Sequence, residues 1–161
     1  MKNFIQRSIT GIFYVVVIIA GILLHPFVFA FVFACITAVS LLEYYKLAAS
    51  ETIRPWKYAG LITGLILFIV NFLFAAGIVP GYVLLGTILF SFFVFFLGLI
   101  RWQESLLISL GITYLGILYI VAPLSLLTHF CFPDNELASY NYEILLGYLF
   151  ILWLYDTGAY I

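Results

Sequence analysis

Residues 82–100 read Tyr-Val-Leu-Leu-Gly-Thr-Ile-Leu-Phe-Ser-Phe-Phe-Val-Phe-Phe-Leu-Gly-Leu-Ile, without one charged side chain. As a helix, a stretch of this length rises about 28 Å, close to the thickness of a bilayer's hydrocarbon core. Backbone polar groups in lipid need partners within their own segment, so the stretch is expected to be a membrane helix. Outward from it lie five more apolar stretches, giving spans at about 9–24, 27–49, 58–79, 82–100, 105–128 and 144–161. His25-Pro26 and Pro80-Gly81 interrupt the apolar sequence as tight turns, which makes helical hairpins of the first and second spans and of the third and fourth. Composition agrees: the chain is 66% apolar and 8% charged, with a mean hydropathy of +1.26. A soluble domain is about 45–50% apolar and about 25% charged. The expected fold is therefore all-α, a polytopic membrane bundle of about six helices in one domain covering residues 1–161. That leaves no length for a soluble catalytic domain, so any chemistry sits in the membrane or at its surface.

Charge sets the orientation. With a cytoplasmic N-terminus, all six basic residues (Lys2, Arg7, Lys46, Arg54, Lys57 and Arg101) fall on the inner side, while Asp134, Glu136 and Glu143 fall on the outer. This is the asymmetry of a multi-pass protein of the cell (inner) membrane. Tyr44, Tyr45, Trp56 and Trp102 are placed as the inner aromatic belt, and Tyr82, Tyr140 and Tyr142 as the outer. The net charge of −1 and the lack of a basic run exclude a nucleic-acid partner. Cys35 is mid-span and Cys131 stands alone in a loop, which argues against a disulfide framework or a zinc site. Lys2 and Arg7 precede the first apolar run as in a signal peptide, but no small-residue cleavage site follows, so the first helix is retained. A homo-oligomer is compatible with the sequence and not fixed by it.

Several polar or small residues have structural readings. Gly60-x-x-x-Gly64 permits close helix approach, and Asn71 suits an interhelical hydrogen bond. Pro123, preceded by Gly111 and Gly116, is expected to bend the fifth helix. His25 and His129 are read as interfacial. Glu43 is explained equally by an ion pair with Lys46 or by a role in a site. Arg7 shares a helix face with Thr10, Gly11 and Tyr14; it is a topogenic charge that could also hold a lipid phosphate.

Asp156 is different. It lies twelve residues into the sixth span, about 18 Å along a helix and just past the midplane toward the inner side, in a segment without a basic residue. A carboxylate at such depth costs roughly 2.5–3.5 kcal/mol on insertion scales, which marks it as functional and facing protein or water. Trp153 and Tyr160 share its face, and Gly158 keeps the neighbouring surface open.

The run Leu152-Trp153-Leu154-Tyr155-Asp156-Thr157-Gly158-Ala159-Tyr160-Ile161 resembles the Asp-Ser/Thr-Gly-Ala-Tyr segment of bacterial phosphatidate cytidylyltransferases, the CDP-diglyceride synthases. Arg7-Ser8-Ile9-Thr10-Gly11 is similar to that family's opening Arg-x-x-Thr/Ser pattern, and Glu43-Tyr44-Tyr45-Lys46-Leu47 to its Glu-aromatic-x-x-Leu. The order, spacing and hydropathy match over the whole chain. The family's C-terminal signature, with Lys-Asp, His-Gly-Gly and Asp-Arg-x-Asp elements, has no counterpart in these residues. The resemblance therefore implies the truncated N-terminal part of a longer enzyme, inactive alone. It also implies a reaction, CTP with phosphatidate giving CDP-diacylglycerol and pyrophosphate in phospholipid biosynthesis, with Mg²⁺ as cofactor. Asp156 would be the catalytic acidic residue near metal or nucleotide, with Thr157, Tyr160, Arg7 and Glu43 as substrate-binding or neighbouring groups. The alternative of a different class is a small transporter or channel subunit with Asp156 in an ion or proton path; against it stands the absence of repeated halves. A CTP-dependent lipid-alcohol kinase fits the Glu43 and Asp156 motifs less well.

Overall fold

The computed structural model describes residues 2–100 and 106–158, with side chains from Ile9 onward except that of Thr157. The first helix, α1 (Lys2–Leu24), gives way at His25 to α2 (Pro26–Ala48). The His25 ring Nδ1 accepts from the Phe27 N–H at 3.3 Å, and Pro26 occupies the first helical position, where its missing donor costs nothing. A loop held by Ser50, whose Oγ accepts from the Ile53 N–H at 3.1 Å, leads into α3 (Lys57–Ala75). That helix closes with the Gly77 N–H bonding to the Phe74 carbonyl and the Ile78 N–H to the Leu73 carbonyl. The closure needs a left-handed residue, and Gly77 has φ +68°. A side chain there would also collide with the Asn135 carbonyl, which presses on it from the far loop. After α4 (Tyr82–Ile100), the fifth rod comprises α5 (Leu106–Gly116), a π-helical turn at Ile117–Val121, α6 (Ala122–Leu126) and α7 (Thr128–Cys131). A 3-10 turn at Leu137–Ser139 precedes α8 (Glu143–Gly158). Among the described residues there is no strand, as the all-α expectation requires.

Four helical segments are long and apolar enough to cross a bilayer: α2, α3, α4 and the 26-residue rod Leu106–Cys131. Instead of six comparable spans, α1 offers a shorter apolar run, Ile9–Leu24, and the 16 described residues of α8 rise only about 24 Å. Pro123 leaves the helix without one donor. The rod accommodates this with a wider π turn just before Pro123 rather than with a simple proline kink.

α3 is the central helix, packed against α2, α4 and the rod. Its closeness to them depends on the two glycines. A Cβ on Gly60 would strike the Tyr45 hydroxyl, and one on Gly64 would lie 2.9 Å from Val121 Cγ2. Asn71 Oδ1 lies 3.2 Å from His129 Nε2, the interhelical bond expected of that amide. His129 is therefore an inward-facing partner of α3 rather than a bystander at the interface. Cys131, expected in a loop, is buried at the end of α7.

Among the described residues Lys and Arg are confined to one end of the bundle. Lys46, Arg54 and Lys57 lie there, with Glu43 and Glu51, and it is called the basic end; His25, Pro80, Asp134, Glu136 and Glu143 lie at the other, the acidic end. Aromatic packing ties the acidic end together: Phe29, Phe72, Phe132 and Tyr140 form a chain of ring contacts with centroids 5.3–6.4 Å apart. The Tyr140 hydroxyl donates to the Ile22 carbonyl at 2.6 Å, pinning the loop to α1. Tyr140 is thus a structural tie and not the belt residue expected, whereas Tyr82 and Tyr142 are exposed as a belt requires.

Candidate active site

α8 joins the bundle through its first two turns, where Leu145 is buried and Leu146 and Leu149 pack on the core; farther along, Trp153 is half-buried. Eleven residues advance an ideal helix by three turns plus about 20°, or about 16 Å along the axis. Asp156 stands eleven residues beyond Leu145 and so continues the stripe that faces the core. It is nevertheless exposed.

The same offset recurs on two more helices. On α2, Val32 meets α1 at Gly21, where a Cβ would sit 3.1 Å from Val32 Cγ2. Glu43 stands eleven residues after Val32, on that same face, and is exposed. It points away from Leu41 and Tyr45, the buried residues two positions to either side. On α1, Ile18 is buried, and Arg7 stands eleven residues before it in register. Between them Tyr14 is exposed, and a Cβ on Gly11 would meet nothing within 4 Å. Glu43 and Asp156 thus each stand in helical register with a contact residue nearer the acidic end, and both are exposed.

No hydrogen bond joins Asp156 to Glu43 among the described residues, and the structure describes only the backbone at Arg7 and Thr157. Tyr160 lies outside the described residues. Among the described residues no group of three or more His, Cys, Asp or Glu side chains converges as a metal cage. They do not by themselves fit the Mg²⁺ site that the resemblance implies, and no step below runs through a metal.

At the basic end the bundle is locked by polar groups that sequence reasoning assigned to the lipid interface or overlooked. The Tyr45 hydroxyl donates to the Thr113 carbonyl at 2.8 Å, and the Thr113 hydroxyl donates to the Ser109 carbonyl at 2.8 Å. From the loop, the Trp56 N–H reaches Thr113 Oγ1 at 2.9 Å and the Arg54 N–H reaches Ser109 Oγ at 3.0 Å. Tyr45 is wholly buried, so its place in an aromatic belt is corrected: it is a core residue. The available signal was the Ser109-x-x-x-Thr113 spacing, which sets two hydroxyls on one helix face.

A family model described as the cytidylyltransferase family matches residues 5–161. The chain belongs to the cytidylyltransferase family. The match runs through all three motif regions and makes this protein a CTP-using nucleotidyltransferase with membrane-type helices. No curated protein and no solved structure shows significant similarity to it. Membership in the cytidylyltransferase family favours transfer chemistry over the ion-path alternative, for which no observation in the structure speaks.

Proposed function

We propose that this cytidylyltransferase acts on phosphatidate in the cell (inner) membrane, joining it to CTP to form CDP-diacylglycerol and pyrophosphate. A phosphate oxygen of the lipid attacks the α-phosphorus of CTP. The new P–O bond forms as the bond to the β-phosphate breaks, and pyrophosphate leaves with the electron pair. Both substrates are anionic, so positioning and neutralisation of phosphate charge dominate the catalysis. The observation that carries this reading is the family match across residues 5–161, which includes the Asp-Thr-Gly-Ala-Tyr run at 156–160. The exposure of Glu43 and Asp156 on the half toward the basic end supports it, because that is the cytoplasmic side by the positive-inside rule, where nucleotide arrives.

In this reading Asp156 is the acidic residue at the reacting phosphates, and Thr157 and Tyr160 are its polar neighbours. Arg7 holds the lipid phosphate and Glu43 orients it. The test is incorporation of radiolabelled CTP into lipid by membranes carrying the full chain. Asp156→Asn is expected to lower turnover by about 100-fold or more while the protein stays in the membrane. Unchanged incorporation would retire the assignment of Asp156.

A further inference from the structure

Where α3 begins and α4 ends, the basic end holds a cavity of about 680 Å³ whose wall changes character along its length. One side carries Lys57, exposed, with Trp56 and Tyr58 beside it; the other is Leu97 and Ile100 on the last turns of α4. Among the described residues no acidic side chain lines it. α3 has no side-chain cap at its N-terminus, so the positive end of a 19-residue helix adds to the charge of Lys57. Cationic and aromatic groups over an apolar wall, at headgroup depth between two membrane helices, complement a ligand with a negative head and a hydrocarbon tail.

We infer that this cavity is a binding site for an anionic phospholipid of the leaflet at the basic end. Lys57 contacts the phosphate, Trp56 and Tyr58 sit at the glycerol level, and Leu97 and Ile100 flank the acyl chains. The cavity lies at the α3/α4 edge, whereas Asp156 and Glu43 are on α8 and on the α1-facing side of α2. Lipid held here is therefore not lipid undergoing transfer. The inference does not depend on the proposed reaction, because occupancy is measured without turnover.

Trp56 is its own reporter. The full chain carrying Trp102→Phe and Trp153→Phe is reconstituted in phosphatidylcholine vesicles. These contain a minor, equal fraction of either brominated phosphatidylglycerol or brominated phosphatidylcholine, and Trp56 fluorescence is read. One lysine near the surface should give the anionic lipid about a fivefold advantage in apparent affinity. Lys57→Ala should bring the two lipids to parity, and Lys57→Arg should restore the preference. Equal quenching by both lipids in the parent, or a preference that survives Lys57→Ala, would overturn the site. So would loss of the preference in Lys57→Arg together with Lys57→Ala, since it would show that the shape of the lysine side chain and not its charge is being read.

Discussion

A phenol at position 45 is suited to the headgroup region, and its neighbours Tyr44 and Lys46 make that the natural reading. Its place is decided instead by Gly60, whose missing side chain leaves room for the ring, and by the Thr113 carbonyl that accepts its proton. Gly60→Val is therefore expected to destabilise the bundle by about 1–3 kcal/mol through overpacking. Tyr45→Phe, which keeps the ring and removes only the hydrogen bond, should cost about 1 kcal/mol. Denaturant titration of the purified protein in micelles would rank the two. Tyr140 offers a test by pH. Burial, and secondarily the nearby Cys131 thiol, raise its phenol above the ordinary value of 10.0. A group whose folded pKa is raised contributes stability that is fully present below the unfolded value and is lost as pH climbs through the folded one. Unfolding titrations should show the parent losing stability above about pH 10. Tyr140→Phe should lose less over that interval, while being weaker at neutral pH for want of the bond to Ile22.

Among the elements, the fifth rod departs furthest from expectation. Glycine and proline in a helix announce a bend, but they do not say whether the chain kinks or widens. The outcome depends on what touches the bend. Here a Cβ on Gly116 would lie 2.8 Å from both Tyr44 and Tyr45, and the side chain of Val121 meets α3 at Gly64. The π turn between them lets both contacts form at once, and below it Asn71 and His129 tie α3 to the end of the rod. A double-mutant cycle of Asn71→Ala and His129→Ala should give a coupling energy of about 0.6–1.7 kcal/mol, the range of interhelical hydrogen bonds in membranes. Additive effects would mean that the pair is adjacent without being coupled. Helix boundaries, by contrast, were legible wherever a local rule sets them. His25-Pro26 caps one helix and starts the next, and Gly60 and Gly64 do what their spacing implies. The lock joining Tyr45, Thr113 and Trp56 was not legible, because it pairs residues 57 and 68 apart in sequence and hydropathy carries no information about such pairing. For the candidate site, positions 43 and 156 stand out in the sequence by their chemistry, but hydropathy could not show that both are exposed in the folded bundle.

For the whole molecule, the confinement of the described Lys and Arg residues to one end predicts a single orientation. In a background lacking Cys35 and Cys131, a cysteine replacing exposed Thr52 should be labelled by a membrane-impermeant reagent only after the cytoplasmic face is opened. One replacing exposed Ala138 should be labelled in intact cells. The reverse pattern would move Asp156 to the side without nucleotide. α8 is held through Leu145, near the acidic end, and has the mechanics of a lever. A swing of about 5° at Leu145 displaces position 156 by somewhat more than 1 Å over a helical arm of about 16 Å. Bilayer thickness acts on the tilt of membrane helices. Acyl length in the surrounding lipid would therefore set the position of the Asp156 carboxylate without any ligand touching it.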